Sequence, residues 1–194
     1  MNANTVPLLF VSWNVRGLGD SDKCKTIRDT LVSARLDVAC IQETKLSRTD
    51  ATKARSFLPP QHSDFSCVDA NGARGGLLTA WNPRTLSMTS FIKRQRTLTI
   101  FFTYAASDLE VSLTNVYAPA DHRDSLGFLE DLAEVASHVP ACWALAGDFN
   151  LTRGADENSN GNVHQHLADA FNDSIHSLGL IDSLLGRITN PPPL

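Results

Sequence analysis

LLFVSWNVRGLG, residues 8–19, decides the fold. LLFVSW is a short apolar run rich in strand-forming side chains, and NVRGLG breaks it with two glycines. Asp22 to Ala34 then places Ile27, Leu31 and Ala34 at helical spacing, with Asp22 able to cap the start. Val38–Ile41 follows as a second buried-looking strand. A strand, loop, helix and strand in that order favour parallel neighbouring strands and an α/β protein.

Working outward, residues 51–58 read as a short helix stopped by Pro59-Pro60. The middle is β-rich, with candidate strands at 64–69, 75–81, 86–92, 97–105 and 110–116, punctuated by Arg74-Gly75-Gly76 and Asn82-Pro83. TLTIFFTYA (97–105) and EVSLTNVY (110–117) are expected to pair antiparallel through a short hairpin at Ala106–Leu109. Asp124 to His138 is an amphipathic helix, with Leu126, Leu129, Leu132, Val135 and Ala136 on one side. Cys142–Ala146 is a buried strand ending in Gly147-Asp148-Phe149-Asn150, and 151–163 is a polar loop. Residues 164–178 form a last amphipathic helix through Leu167, Phe171, Ile175 and Leu178.

A length of 194 residues suits one domain, expected over 1–194 with its core at about 8–183 and an irregular tail at 184–194. Burial of roughly 70% of the unfolded surface is available at this size. Hydrophobic residues make up 42% and charged residues 20%, which excludes collagen, coiled coil and wholesale disorder. No apolar run reaches the ~18 residues of a membrane span, and residues 1–7 lack the build of a signal peptide. An intracellular protein without a membrane partner is expected, nuclear if it acts on DNA.

The net charge of −4 argues against a basic nucleic-acid binder as a whole, but the charge is divided. Residues 1–107 carry 14 Lys/Arg against 8 Asp/Glu, and residues 108–194 carry 3 against 13. The split reads either as a polyanion surface beside a cation site or as solvated faces that happen to differ. Cys24, Cys40, Cys67 and Cys142 form no CxxC and have no zinc-finger spacing. Cys40 and Cys142, inside apolar runs, read as small buried hydrophobes with free thiols.

Four apolar strands end directly in polar groups: Trp13-Asn14, Ile41-Gln42-Glu43-Thr44, Asn115-Val116-Tyr117 and Gly147-Asp148-Phe149-Asn150. Strand ends are where α/β proteins gather ligands. Each residue type suits hydrolysis of a phosphodiester. Glu43 offers Mg²⁺ a hard oxygen ligand, with Mn²⁺ as the other candidate. Asp148 can accept a proton from an attacking water. Asn14 and Asn150 offer amides to orient that water or complete the metal shell. Tyr117 can donate a hydrogen bond to charge building on the phosphoryl group. The competing account of each is an ordinary loop start or Asx turn.

SWNVRGLG (12–19), CIQETKL (40–46), NVYAP (115–119) and AGDFN (146–150) occur in that order. Together they resemble the successive motifs of the endonuclease/exonuclease/phosphatase superfamily. The wording is most similar to the endonuclease domain of plant LINE-type (non-long-terminal-repeat) retrotransposons, through WNVRGLG, the RGGL turn (74–77) and GDFN followed by LADAFND (167–173). The resemblance implies a four-layer α/β sandwich, two mixed β-sheets face to face with helices outside, incomplete at its C-terminus. It implies a Mg²⁺-dependent phosphodiesterase of DNA-endonuclease type, with Glu43 as metal ligand, Asn14 beside it, Tyr117 facing the phosphate, Asp148 activating water and Asn150 orienting it. DNA is then the implied substrate, the domain a monomer, and the partner in the ancestral polyprotein a reverse transcriptase.

The base-repair branch has an acidic residue two positions after its motif asparagine. Arg16 stands there, so it is assigned to phosphate rather than metal, with Arg74 and Arg153 as further substrate contacts. Lys93, Arg94 and Arg96 read as DNA phosphate contacts or, better, as a charged turn. NSNGN (158–162) reads as a loop able to reach a DNA groove, and His122 and His176 as surface residues. The family's terminal Ser-Asp-His string is not found, and His164 and His166, at the start of a surface helix, are poor substitutes for its histidine. The alternative to an active endonuclease is therefore an inactive remnant that binds metal or DNA weakly. A lipid- or inositol-phosphate phosphatase fits the motif wording less well.

Overall fold

Two β-sheets of four strands each lie face to face in the computed structural model, which describes residues 8–72, 74–139, 142–154 and 164–182. In chain order the elements are β1 (Phe10–Asn14), α1 (Ser21–Ala34), β2 (Val38–Gln42), α2 (Ala51–Phe57), β3 (Asp64–Val68), β4 (Leu77–Trp81) and β5 (Leu86–Lys93). They continue as β6 (Thr97–Tyr104), β7 (Leu109–Tyr117), a 3₁₀ turn (His122–Asp124), α3 (Ser125–Ala136), β8 (Trp143–Asp148) and α4 (Gln165–Ser177). The first sheet has the order β1-β2-β4-β3 and the second β5-β6-β7-β8. The opening β–α–β unit is parallel as expected, and β6 and β7 are antiparallel in register from Thr97↔Val116 to Tyr104↔Leu109.

Three apolar layers hold the four structural layers together. Ile27 and Leu31 of α1 and Phe57 of α2 pack on Ala39 and Ile41 of β2, the outward positions of a strand buried on both faces. Val38 and Cys40 point the other way, onto Leu98, Ile100 and Phe102 of β6 and Leu113 of β7. Phe128, Leu129 and Leu132 of α3 and Phe171 of α4 cover Val116 and Trp143 on the far side. Residue alternation along each strand decides which layer a side chain joins.

The interface between the sheets is not uniformly apolar. Asn115 is fully buried in phase with Val111 and Leu113, so period 2 carries its amide into the core. Its Oδ1 accepts from Gln42 Nε2 at 2.7 Å, and its Nδ2 donates to Leu78 O at 3.0 Å, Thr79 Oγ1 at 3.2 Å and Ile41 O at 3.3 Å. One side chain of the second sheet thereby binds two strands of the first.

Two expectations are corrected. α1 is capped by Asp20, whose side chain accepts from Lys23 N at 2.7 Å; Asp22 sits in the first turn, where its charge meets the positive end of the helix. Cys142 is exposed, because the buried part of β8 begins further along its run. Residues 184–194 and NSNGN at 158–162 lie outside the described residues. Among the described residues, no helix is long and apolar enough to cross a membrane.

Two measurements test this arrangement. Asn115→Ala leaves a cavity and strips partners from groups on two strands, and the expected loss in urea denaturation is on the order of 3 kcal/mol. His62 is 2% exposed, its Nε2 lies 2.8 Å from Leu36 O, and burial holds its pKa below the ordinary 6.5. Below about pH 6.5 the unfolded chain takes up a proton that the folded one refuses, so stability falls as pH drops through that point. The unfolding midpoint should decline between pH 7 and 5, and less steeply in His62→Gln.

Candidate active site

The parallel pairs β1–β2 and β7–β8 deliver four strand ends, and Asn14, Glu43, Tyr117 and Asp148 stand at or just past them. Asn14 Nδ2 donates to Asp148 Oδ2 at 2.7 Å, a side-chain bond from the edge of one sheet to the edge of the other. The Oδ1 of Asn14 accepts from Arg16 N at 3.1 Å, an Asx turn that bends the chain away after β1. Asn150 N donates to Asp148 Oδ1 at 3.2 Å, and Asn150 Nδ2 donates to Ala118 O at 2.9 Å. Asn150 holds φ at +48°, a left-handed conformation that asparagine tolerates better than most residues.

Glu43 also sits at positive φ, +55°, as does Lys45 at +54°. The segment is held there from both sides. Gly17 N donates to Glu43 O at 2.7 Å, and Leu18 N to Thr44 O at 2.9 Å. From the other side, Thr44 N donates to Gly76 O at 3.1 Å and Lys45 N to Gly75 O at 3.0 Å. Gly76 has φ +90°, and a Cβ there would run into the Thr44 hydroxyl. The RGGL turn is thus the brace of the Glu43 loop. Gly147 is constrained in the same way: a Cβ would meet the backbone of Val116.

Tyr117 closes the site. Its hydroxyl lies near the Glu43 carboxylate, and its pKa is raised, first by burial and then by the nearby charges of Glu43 and Asp148. Arg96 opposes that shift and so lies close by; its carbonyl accepts from Tyr117 N at 2.9 Å. The Glu43 carboxylate also holds the Lys45 ammonium at 2.9 Å.

Asn14, Glu43, Tyr117, Asp148 and Asn150 are therefore brought together. Arg16 is exposed on the rim beside Asn14, and Arg74 is exposed in the turn before the glycine brace. Arg153 is bound to Asn172 Oδ1 at 2.8 Å and Asp182 Oδ2 at 2.6 Å. The basic turn divides: Arg94 turns to Glu134 of α3 at 2.7 Å, Lys93 lies 5.0 Å from the Phe91 ring centroid, and Arg96 stands within electrostatic reach of Tyr117. Sequence reasoning missed Lys45, which lies inside a quoted motif, and the Gln42–Asn115 pair. Only the parity of Asn115 with Leu113 signalled the latter.

The donors facing the site are hard oxygens, the Glu43 carboxylate and Asn14 Oδ1, and Glu43 already attracts a cation. That set suits a divalent ion of the Mg²⁺ class more than a thiophilic one. Among the described residues, no group of three or more His, Cys, Asp or Glu side chains converges, so water would supply most of such an ion's shell.

The model of the Endonuclease/Exonuclease/phosphatase family matches residues 11–193, and the chain belongs to that family. The AP endonuclease LMAP from Leishmania major has a similar structure, with TM-score 0.63 at 19% identity over 87% of this chain and 66% of that one. The endonuclease domain of TRAS1, a telomere-specific non-LTR retrotransposon, superposes with TM-score 0.63 at 14% identity, over 89% of this chain and 71% of that one. The human Nocturnin catalytic domain gives TM-score 0.54 at 12% identity, over 74% and 65%. The chain thus spans just under two thirds of the first and third of these, and at such identities the likeness establishes the fold alone. No curated protein is a significant sequence match.

The chain has two tyrosines, so Tyr104→Phe leaves Tyr117 as the single phenol. In that background its ultraviolet titration midpoint should lie above the ordinary 10 and fall back towards it in Glu43→Gln. A midpoint indifferent to Glu43 would break the Tyr117–Glu43 pairing.

Proposed function

We propose that this domain hydrolyses phosphodiesters in DNA as a Mg²⁺-dependent endonuclease of the kind carried by non-LTR retrotransposons. The observation that carries this function is the Asn14–Asp148 bond, which sets a carboxylate base beside the Glu43–Tyr117 pair at the meeting of four strand ends. Asp148 takes a proton from the attacking water, and the Asn14 amide on its Oδ2 fixes the carboxylate's orientation. Asn150 anchors the same carboxylate through its backbone N–H. The raised pKa of Tyr117 keeps its hydroxyl protonated, so it donates to the phosphoryl oxygen as negative charge develops.

Glu43 and Asn14 Oδ1 would hold the metal, Mg²⁺ or Mn²⁺, which supplies Lewis-acid stabilisation of the phosphoryl and leaving oxygens when bound. Water adds to phosphorus as its proton passes to Asp148, the bond to the 3′ oxygen breaks, and that oxygen takes a proton from solvent, leaving a 5′-phosphate and a 3′-hydroxyl able to prime a reverse transcriptase. Lys45 would release Glu43 to the metal and turn to the substrate. Arg16 and Arg96 on the rim supply phosphate contacts, and Arg74 extends that surface. Support for DNA over a small phosphate ester comes from this basic rim and from the endonuclease wording of the motifs.

Nicking of supercoiled plasmid tests this. Nicking should require Mg²⁺ or Mn²⁺ and fall by about 10²–10⁴ in Glu43→Ala and in Asp148→Ala. Arg96→Ala should keep the chemistry while lowering the slope of log affinity against log salt by about 0.9. Equal behaviour of all the proteins would overturn the endonuclease and leave a domain that binds without cleaving. Preference for inositol phosphates in competition would redirect it to a phosphatase.

A further inference from the structure

His122 and His164 come from segments far apart in the chain, the 3₁₀ turn before α3 and the residue that caps α4. Their ring centroids are 4.6 Å apart, with the planes tilted by 58°. Both residues are exposed, and neither ring has a hydrogen-bond partner among the described residues. His164 occupies the N-cap position without making a side-chain cap bond. Both rings line a cavity of about 200 Å³ whose wall includes Asn150, Thr152 and Leu167. Two free imidazoles thus meet at the rim of the site, outside the machinery described above.

We propose that this pair is a second cation site, for a borderline divalent transition-metal ion of the Zn²⁺ class. Imidazole nitrogen suits such ions, whereas Mg²⁺ seeks the oxygens around Glu43. With one nitrogen of each ring turned to a shared ion and metal–nitrogen bonds of about 2.0 Å, each ring centroid would stand roughly 3.2 Å from the ion, and centroids 4.6 Å apart would subtend roughly 90°. That is the angle between adjacent ligands of a six-coordinate ion, and a small χ rotation of either exposed ring opens it to a tetrahedral one. The neighbouring Arg123 does not repel the ion with a free charge, because Asp121 holds its guanidinium in a two-pronged pair. Two protein ligands leave the remaining positions to water. A bound ion would staple the connection after β7 to the N-terminus of α4, across the mouth that Asn150 borders.

Isothermal titration of the full chain with ZnCl₂, in excess Mg²⁺ to occupy the oxygen site, tests the assignment. One Zn²⁺ per chain should bind, at least tenfold more weakly in His122→Ala and in His164→Ala and unchanged in His166→Ala. Zn²⁺ should also raise the unfolding midpoint of the parent and of His166→Ala, but not of the other two. All three positions are exposed, and unfolding without metal shows that each variant is folded. No zinc binding, or binding indifferent to both His122 and His164, would overturn the site and leave a simple ring contact.

Discussion

The carboxamide of Asn115 is the constraint on which the arrangement turns. A buried amide left unpartnered is costly, and this one finds its partners only if the two sheets meet in one register. Gln42 must end β2 opposite it, and β4 must present Leu78 and Thr79 beneath it. Apolar contact between sheets is forgiving of a slide of a few tenths of an ångström; a hydrogen-bond set is not. Glu43 follows Gln42 directly, and Tyr117 lies two residues beyond Asn115. Fixing the amide therefore fixes where Glu43 and Tyr117 stand in the candidate site.

The second organising force is the handling of charge. Two carboxylates and a phenol share the strand ends, and the two carboxylates repel one another. The molecule meets this with separate partners: Lys45 for Glu43, and the Asn14 and Asn150 amide groups for Asp148. Tyr117 absorbs the rest by holding its proton. Positive φ at Glu43 and Lys45 is the conformational cost of this placement, and the braces from Gly17, Gly75 and Gly76 sustain it.

Much of this was legible in the chain itself. Short apolar runs broken by glycine and proline mark most strands within a residue or two, because turn chemistry is local. Strand-end polar residues pointed to Asn14, Glu43, Tyr117, Asp148 and Asn150, since period 2 and α/β topology send them to one side. What escaped depends on contacts between distant segments. Arg94 and Arg96 are two residues apart in one basic turn, and only the packed position of α3 and of Tyr117 separates a structural cation from one within reach of Tyr117. The helix cap moved from Asp22 to Asp20 because either carboxylate satisfies the local rule. His122 and His164 look like isolated surface residues until the fold sets them side by side.

Among the described residues, the chain crosses between its two sheets at one covalent point, the short turn from Trp81 to Leu86. Everything before that turn builds the first sheet and contributes Asn14 and Glu43; everything after it builds the second and contributes Tyr117, Asp148 and Asn150. Neither half of the polypeptide owns all five of these side chains. The candidate site comes into being only when the halves dock, so a chain emerging from the ribosome carries two separate half-sites until its second sheet has closed on the first.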